Sequence, residues 1–165
     1  MAFVAEDGTG LSTSTSYISI ADADSYFEDR INTDWKALSL DEKQAYLIGA
    51  TDYFESNYNV VEGTPINTTQ ALQFPRYGTL DLNDNEYDYD SVPLPVKKST
   101  CILAEEIMGS VDINAGIDRK TKSEKAGPVE VEYMDGSAST KIYKQIEGML
   151  RGIIQTRGTV ATLRG

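Results

Sequence analysis

The chain contains no histidine, and its 165 residues include one cysteine, one tryptophan and five prolines. Without an imidazole there is no Ser-His-Asp or Cys-His arrangement and no His-ligated zinc site. The single thiol, Cys101, leaves no intrachain disulfide, and its place in an apolar helical run suits a small buried hydrophobe. Long apolar runs are missing too. No window approaches the roughly 18 consecutive apolar residues of a membrane-spanning helix, so no membrane partner is expected. Met1 to Gly10 lack the basic start and apolar stretch of a secretory leader. The protein is therefore expected to be made and kept in a cytoplasm.

Positive charge is scarce. Fifteen bases face 26 acids, which leaves a net charge of −11 and an isoelectric point near 4.4. A chain so acidic repels phosphate backbones, which argues against tight binding of free nucleic acid. The imbalance is uneven. Residues 1–90 carry 17 acids and 4 bases, a balance of −13, whereas residues 91–165 carry 9 acids and 11 bases, a balance of +2. This asymmetry reads either as a solvated surface or as an assembly whose acidic side faces outward while its later segments meet something else.

What is present is enough for one lean core: 40% of residues are hydrophobic, among them ten tyrosines. The expected class is mainly α, a small bundle of about four helices with a minor β element near 128–133 and extended arms at both ends. Residues 1–16, rich in Gly, Ser and Thr, read as a flexible arm; 17–155 read as the helical domain; 156–165 read as an extended tail. Ser19, with Ile18 before it and Asp22 three residues after it, caps a helix over 20–31, with Ile20, Ala23, Phe27 and Ile31 on one stripe. Ser39 and Glu42 form a second capping box for a helix over 40–58, with Leu40, the stem of Lys43, Leu47, Ala50 and Phe54 on one face. Trp35, in the connector, is expected to anchor both helices. The most apolar helix spans 94–109, opened by Pro93 or Pro95 and closed by Gly109. Val129, Val131 and Tyr133 alternate with acids as a half-buried strand does, and a last helix over 139–154 aligns Ile142, Ile146, Met149 or Leu150, and Ile153. The expected core includes Phe27, Trp35, Leu47, Phe54, Ile102, Leu103 and Ile146.

Chemistry-bearing patterns are few. HExxH, the phosphate-binding Gly-Lys-Ser/Thr loop and GxSxG are all missing, and the adjacent Glu105 and Glu106 diverge by about 100° around a helix. The chain is therefore expected not to be an enzyme and to use no cofactor. Gly8-Thr9-Gly10 has a weak claim on phosphate. The acidic run 81–90 reads as a solvated loop or an ion site, although it lacks the sixth-position Gly and closing Glu of an EF-hand. Arg119, Lys120, Lys122 and Lys125 form the one candidate for nucleic-acid contact, a feeble one in a monomer but stronger if repeated around a ring. The tail carries Arg157, Val160, Leu163 and Arg164, a mixture of forked cations and small apolar residues that suits docking on a partner.

Five segments in order carry a resemblance: Tyr17-Ile18-Ser19-Ile20-Ala21-Asp22-Ala23-Asp24-Ser25-Tyr26-Phe27, the stretch around Trp35, Ala50-Thr51-Asp52-Tyr53, Gln70-Ala71-Leu72-Gln73-Phe74-Pro75-Arg76, and Ser123 to Tyr133. Together they resemble a family of small tailed-phage proteins encoded among head and neck genes and often labelled DnaT-like single-stranded-DNA-binding. The resemblance spans roughly residues 17–155. It implies a head–tail adaptor in the virion neck: a ring of about twelve copies beneath the portal, with a helical body around the DNA channel. In such a ring the extended tail reaches the portal, a downstream neck or tail-completion protein binds below, and DNA is only passing content. It implies no catalytic residues. The alternative implied by the label is a single-strand-binding replication accessory. The acidic run 81–90 departs from the family pattern and leaves that loop's role open.

Overall fold

A computed structural model describes residues 2–60, 62–109, 121–124, 131–133 and 144–154. Its order is α1 (Ile20–Glu28), α2 (Thr33–Ala37), α3 (Leu40–Asn57), β1 (Thr64–Pro65), β2 (Arg76–Tyr77), α4 (Leu94–Met108), β3 (Thr121–Glu124), β4 (Val131–Tyr133) and α5 (Lys144–Met149). The class is mainly helical, as expected, with five helices and two antiparallel two-stranded pairs, β1–β2 and β3–β4, among the described residues.

The helix starts follow their caps. The Ser19 hydroxyl accepts from the Asp22 amide at 3.1 Å. Ser39 and Glu42 form the reciprocal box, the Glu42 carboxylate accepting from the Ser39 amide at 2.8 Å. Each cap satisfies amides that a helix's first turn leaves unpaired. Pro95 sits at the start of α4, where a missing N–H costs nothing, and Gly109 closes that helix.

Two stretches differ from the sequence reading at the first helix. The connector around Trp35 is itself a short helix, capped by Asn32, whose side chain accepts from the Trp35 amide at 2.9 Å. And α1 stops at Glu28, so Ile31 leaves the expected stripe and stands 86% exposed. The reason is a Schellman ending: Asn32 N–H donates to Phe27 O at 3.0 Å and Ile31 N–H to Glu28 O at 2.9 Å. Ile31 takes the left-handed position, φ 55°, which normally belongs to Gly. A β-branched residue there is strained, and its side chain gains little from burial. Ile31→Gly is therefore expected to raise the unfolding free energy by about 1 kcal/mol, read as a higher urea midpoint with unchanged slope; a drop in stability would show that the exposed side chain is held by contacts.

The core sits between α3 and α4, which make the most extensive packing, with α1 and α5 closing its sides. Tyr17, Phe27, Leu47, Phe54, Val96, Cys101, Leu103, Ile146, Leu150 and Ile153 are all essentially inaccessible. Trp35 is buried as expected, its ring stacked on Phe27 at 4.3 Å. Two expectations are corrected. Ile102 is only partly buried, because α4 turns Cys101, Leu103 and Ala104 inward; Leu40 is 58% exposed, because it stands at the first position of α3, beyond the end of the packed face. The last helix, expected over 139–154, is helical in its described residues only over Lys144–Met149; Leu150 to Ile154 are turn and bridge, with Gly152 at φ 93°, and Leu150 rather than Met149 is buried with Ile146 and Ile153. Ile142, residues 139–143, and residues 128–130 of the expected strand lie outside the described residues.

The expected arm 1–16 is folded where described. Thr15 N–H donates to Val4 O at 2.8 Å and Glu6 N–H to Ser16 O at 2.8 Å, and the segment ties to the body through Ala71 N–H to Leu11 O at 2.9 Å. Its small residues serve tight turns here and do not loosen the chain: Gly8 and Gly10 take φ of 101° and 71°. The tail 156–165 lies outside the described residues.

Candidate functional site

The first cluster with chemical potential surrounds Glu6, which is 6% exposed. Its Oε1 accepts from the amides of Gly8 at 3.0 Å and Gly10 at 2.9 Å. Its Oε2 accepts from the Leu11 amide at 3.1 Å and the Ser14 hydroxyl at 2.6 Å. Convergent backbone N–H groups of this kind make an anion cradle. The phosphate claim of Gly8-Thr9-Gly10 therefore falls, because the cradle holds the chain's own carboxylate. A Cβ on Gly8 would stand 1.8 Å from the Asp90 carbonyl oxygen, so this turn is pressed against the end of the acidic run.

The second cluster joins the segment Gln70–Arg76 to the helices. The Tyr17 hydroxyl donates to Glu55 Oε1, and the Gln73 amide donates to the Tyr17 oxygen at 3.1 Å. Gln73 then spans the loop, its Oε1 accepting from Val60 N–H at 2.9 Å and its Nε2 donating to Tyr58 O at 2.9 Å. The Arg76 guanidinium donates to three carbonyls, Glu62 at 2.8 Å, Gly63 at 2.7 Å and Gln73 at 3.2 Å. Phe74, 1% exposed, packs edge-on against Tyr17. Burial pushes the Tyr17 hydroxyl well up, with the Glu55 charge adding to it, and burial also raises Glu55 against the hydrogen bonds that favour its ionised form. The hydrogen bonds of these groups run to one another and to the backbone of the loop, so the cluster is a clasp. Tyr17→Phe removes its central donor and is expected to cost about 1–3 kcal/mol in urea unfolding; a cost below about half a kcal/mol would show that water replaces the hydroxyl.

Two open hollows flank α1. One, about 430 Å³, is lined by Asp24, Glu28, Ile31, Trp35, Lys36 and Lys43. In it Asp24 Oδ1 accepts from Trp35 Nε1 at 2.7 Å and from Lys43 Nζ at 2.8 Å. Partial burial opposes the Asp24 charge, but these two donors prevail and hold its carboxyl below the ordinary range. The other, about 460 Å³, is lined by Tyr26, Asp22, Asp29, Arg30, Lys97 and Lys98. Two of its three bases are already engaged: Arg30 lies 3.6 Å over the Tyr26 ring, and Lys97 is 3.6 Å from Asp22. Among the described residues no group of three His, Cys, Asp or Glu is arranged to hold a metal ion, and no helix is long and apolar enough to cross a membrane.

The acidic run is not a featureless loop. Asp81 Oδ1 accepts from the amides of Asn83 at 2.7 Å and Asn85 at 2.9 Å, and the Asn85 side chain adds further hydrogen bonds. Those hydrogen bonds, the Asn85 side chain foremost, lower the Asp81 carboxyl. Of the sequence-nominated basic residues, Lys122 lies in β3, at the irregularity where Thr121 pairs with Tyr133 but Ser123 with Glu132. Arg119, Lys120 and Lys125, and the tail residues Arg157, Val160, Leu163 and Arg164, lie outside the described residues. What the sequence reading missed is an aromatic pair, Tyr77 and Tyr89, stacked at 4.8 Å and each about half exposed. Twelve positions apart, they give no periodic signal, and only the fold of the run between them brings them together.

The sequence model of the family described as "Putative DnaT-like ssDNA binding protein" matches residues 1–165. No curated protein and no solved structure matches the chain.

Proposed function

The chain belongs to the DnaT-like ssDNA binding protein family, and from that premise we propose that it is a structural, non-catalytic subunit of a tailed-phage neck. In this reading it forms a ring of about twelve copies beneath the portal, a symmetric closed assembly through which DNA passes. The tail, through Arg157, Val160, Leu163 and Arg164, makes the portal contact, and Arg119, Lys120, Lys122 and Lys125 face the passing DNA. The downstream face meets a neck or tail-completion protein.

The observation that carries this reading is the charge of the helical body. Residues 2–109 hold 19 acids and 6 bases, a balance of −13. Four of those bases are engaged within the fold, Lys43 with Asp24, Lys97 with Asp22, Arg30 over Tyr26, and Arg76 in the clasp. A dedicated single-strand binder needs a positive groove with stacking rings along it. A surface of this sign suits a wall past which DNA slides.

The family's description speaks more directly for a second reading, a single-strand-binding replication accessory. Its physical support is the exposed Tyr77–Tyr89 pair, although that pair stands among acids. Two measurements separate the readings. Light scattering, alone and with purified portal, is expected to show a ring-sized particle; a monomer indifferent to portal sinks the adaptor. Fluorescence anisotropy with a labelled oligothymidine is expected to show no submicromolar affinity at physiological salt. Tight, salt-sensitive binding would overturn the first reading in favour of the second.

A further inference from the structure

Residues 77–89 fold back on themselves as an irregular hairpin. Leu80 bridges Glu86, Tyr87 N–H donates to Thr79 O at 2.9 Å, and Asp81 N–H donates to Asn85 O at 2.8 Å. The same register sets Tyr77 opposite Tyr89, whose rings stack with 25° between their planes. The two rings remain 48% and 50% exposed, and Leu82 at the tip is 66% exposed. This is an apolar ridge on an acidic hairpin: 77–90 contains Asp81, Asp84, Glu86, Asp88 and Asp90 and no base. Asp81 is occupied by its Asn hydrogen bonds and Glu86 by the Gly78 amide at 3.0 Å, whereas Asp84, Asp88 and Asp90 are exposed.

The chain leaves α5 beside this ridge. Ile154 bridges Val60, and a Cβ on Gly152 would stand 3.5 Å from the Leu82 methyl. Residues 155–165 thus start at the hairpin. At about 3.3–3.6 Å per residue, their eleven residues extend to roughly 36–40 Å, while the hairpin arm from tip to tyrosines spans roughly 16 Å. The segment contains Arg157 and Arg164, no acid, and Val160 and Leu163 between them. Its charge is opposite to that of the hairpin, and its apolar residues match the ridge.

We infer that residues 155–165 dock on the Tyr77–Tyr89 hairpin of their own chain. An Arg guanidinium lies on an exposed tyrosine face, a stacking that Arg makes better than Lys, and the other forks onto the Asp88 or Asp90 carboxylate. Val160 and Leu163 cover the ring edges and Leu82. The tether supplies an effective concentration in the millimolar range, so contacts too weak for a separate peptide hold the segment down. The docking site belongs to the single subunit and does not depend on the adaptor reading. If that reading holds, portal and hairpin compete for one segment.

The test uses the full-length protein. Trypsin cleavage after Arg157, followed by mass spectrometry, is expected to be about tenfold slower in the native chain than in Tyr77→Ser/Tyr89→Ser, with unchanged circular dichroism. The protection is expected to fade as salt is raised to about 1 M. Asp88→Asn/Asp90→Asn, which spares the rings, should lose part of it, and serves if the tyrosine variant unfolds. Equal cleavage rates in native and variant chains overturn the docking. A Leu82→Cys/Leu163→Cys chain is expected to oxidise to a disulfide-closed monomer; native Cys101 does not interfere, being buried with its thiol pushed up to about 12. A disulfide-linked dimer would assign the ridge to a neighbouring copy's segment and overturn docking within the chain. Tight binding of oligothymidine that the tyrosine variant abolishes would overturn it too, making the ridge a base-stacking platform.

Discussion

Leu103→Ala is expected to lower the unfolding free energy by about 2–5 kcal/mol, the range for emptying a fully enclosed aliphatic site. Leu103 is 0% exposed, on the helix that carries most of the packing, between α3 and α5. The loss has two parts, the transfer free energy of the deleted carbons and the cavity that rigid neighbours fail to fill. The core cluster to which it belongs is built of large, constrained side chains: Phe54 and Tyr17 lie edge to face at 5.3 Å, and Leu47 and Ile146 are 0% exposed. Little collapse is therefore expected, which places the result in the upper half of the range. Ile102→Ala, one position along on a partly buried face, is expected to cost less than half as much. Urea unfolding of both variants checks this, and equal losses would mean that α4 is rotated from the position described.

The second large effect is expected at Glu6→Ala, a loss of about 2–4 kcal/mol. This change leaves the amides of Gly8, Gly10 and Leu11 and the hydroxyl of Ser14 without their acceptor. Hydrogen bonds to a charged group are stronger than neutral ones, and the buried donors left behind bear a desolvation cost. Glu6→Gln keeps one oxygen for two amides and is expected to fall between the two. Hydrogen exchange gives an independent reading: the amides of Gly8, Gly10 and Leu11 should exchange faster while those of α4 keep pace with the change in global stability. A Glu6→Ala chain as stable as the native one would mean that the segment 2–16 is only loosely attached.

The position of Glu6 shows where a linear reading loses sight of structure. In sequence, 1–16 is a run of Gly, Ser and Thr, and such runs are read as flexible because they have little to bury. The same residues are also those that permit positive φ and offer short hydroxyls, which is what a loop closing on a carboxylate needs. Nothing local distinguishes the two uses. The deciding contacts come from Ala71, Asn67 and Asp90, at least fifty residues away.

The first helix makes the same division visible at one residue. Ile20, Ala23, Phe27 and Ile31 share a period, and the first three lie on the packed side, with Ile20 and Ala23 bracketing the turn that Ser19 caps. Ile31 continues the period but not the helix. Whether a helix runs one more turn depends on what its last carbonyls meet, and here Asn32 turns back to cap both Phe27 and the next helix.

The sequence by itself determined the starts of α1, α3 and α4, the caps at Ser19 and Ser39, the mainly helical class, the buried role of Trp35, Phe27, Leu47, Phe54, Leu103 and Ile146, and the acidity of the body. These are local or additive quantities: a cap needs a residue three positions on, a stripe needs a period of 3.6, and charge is a sum. The tertiary structure alone decided that residues 2–16 close around Glu6 and that Gln73 and Arg76 clasp a loop. It alone decided that the acidic run is a hairpin with Tyr77 against Tyr89 and the end of α5 beside it. The clasp and the hairpin join residues a dozen or more positions apart, and the local closure around Glu6 is held against Asn67, Ala71 and Asp90; the residue types involved satisfy water equally well until the packed helices bring their partners within hydrogen-bonding or stacking distance.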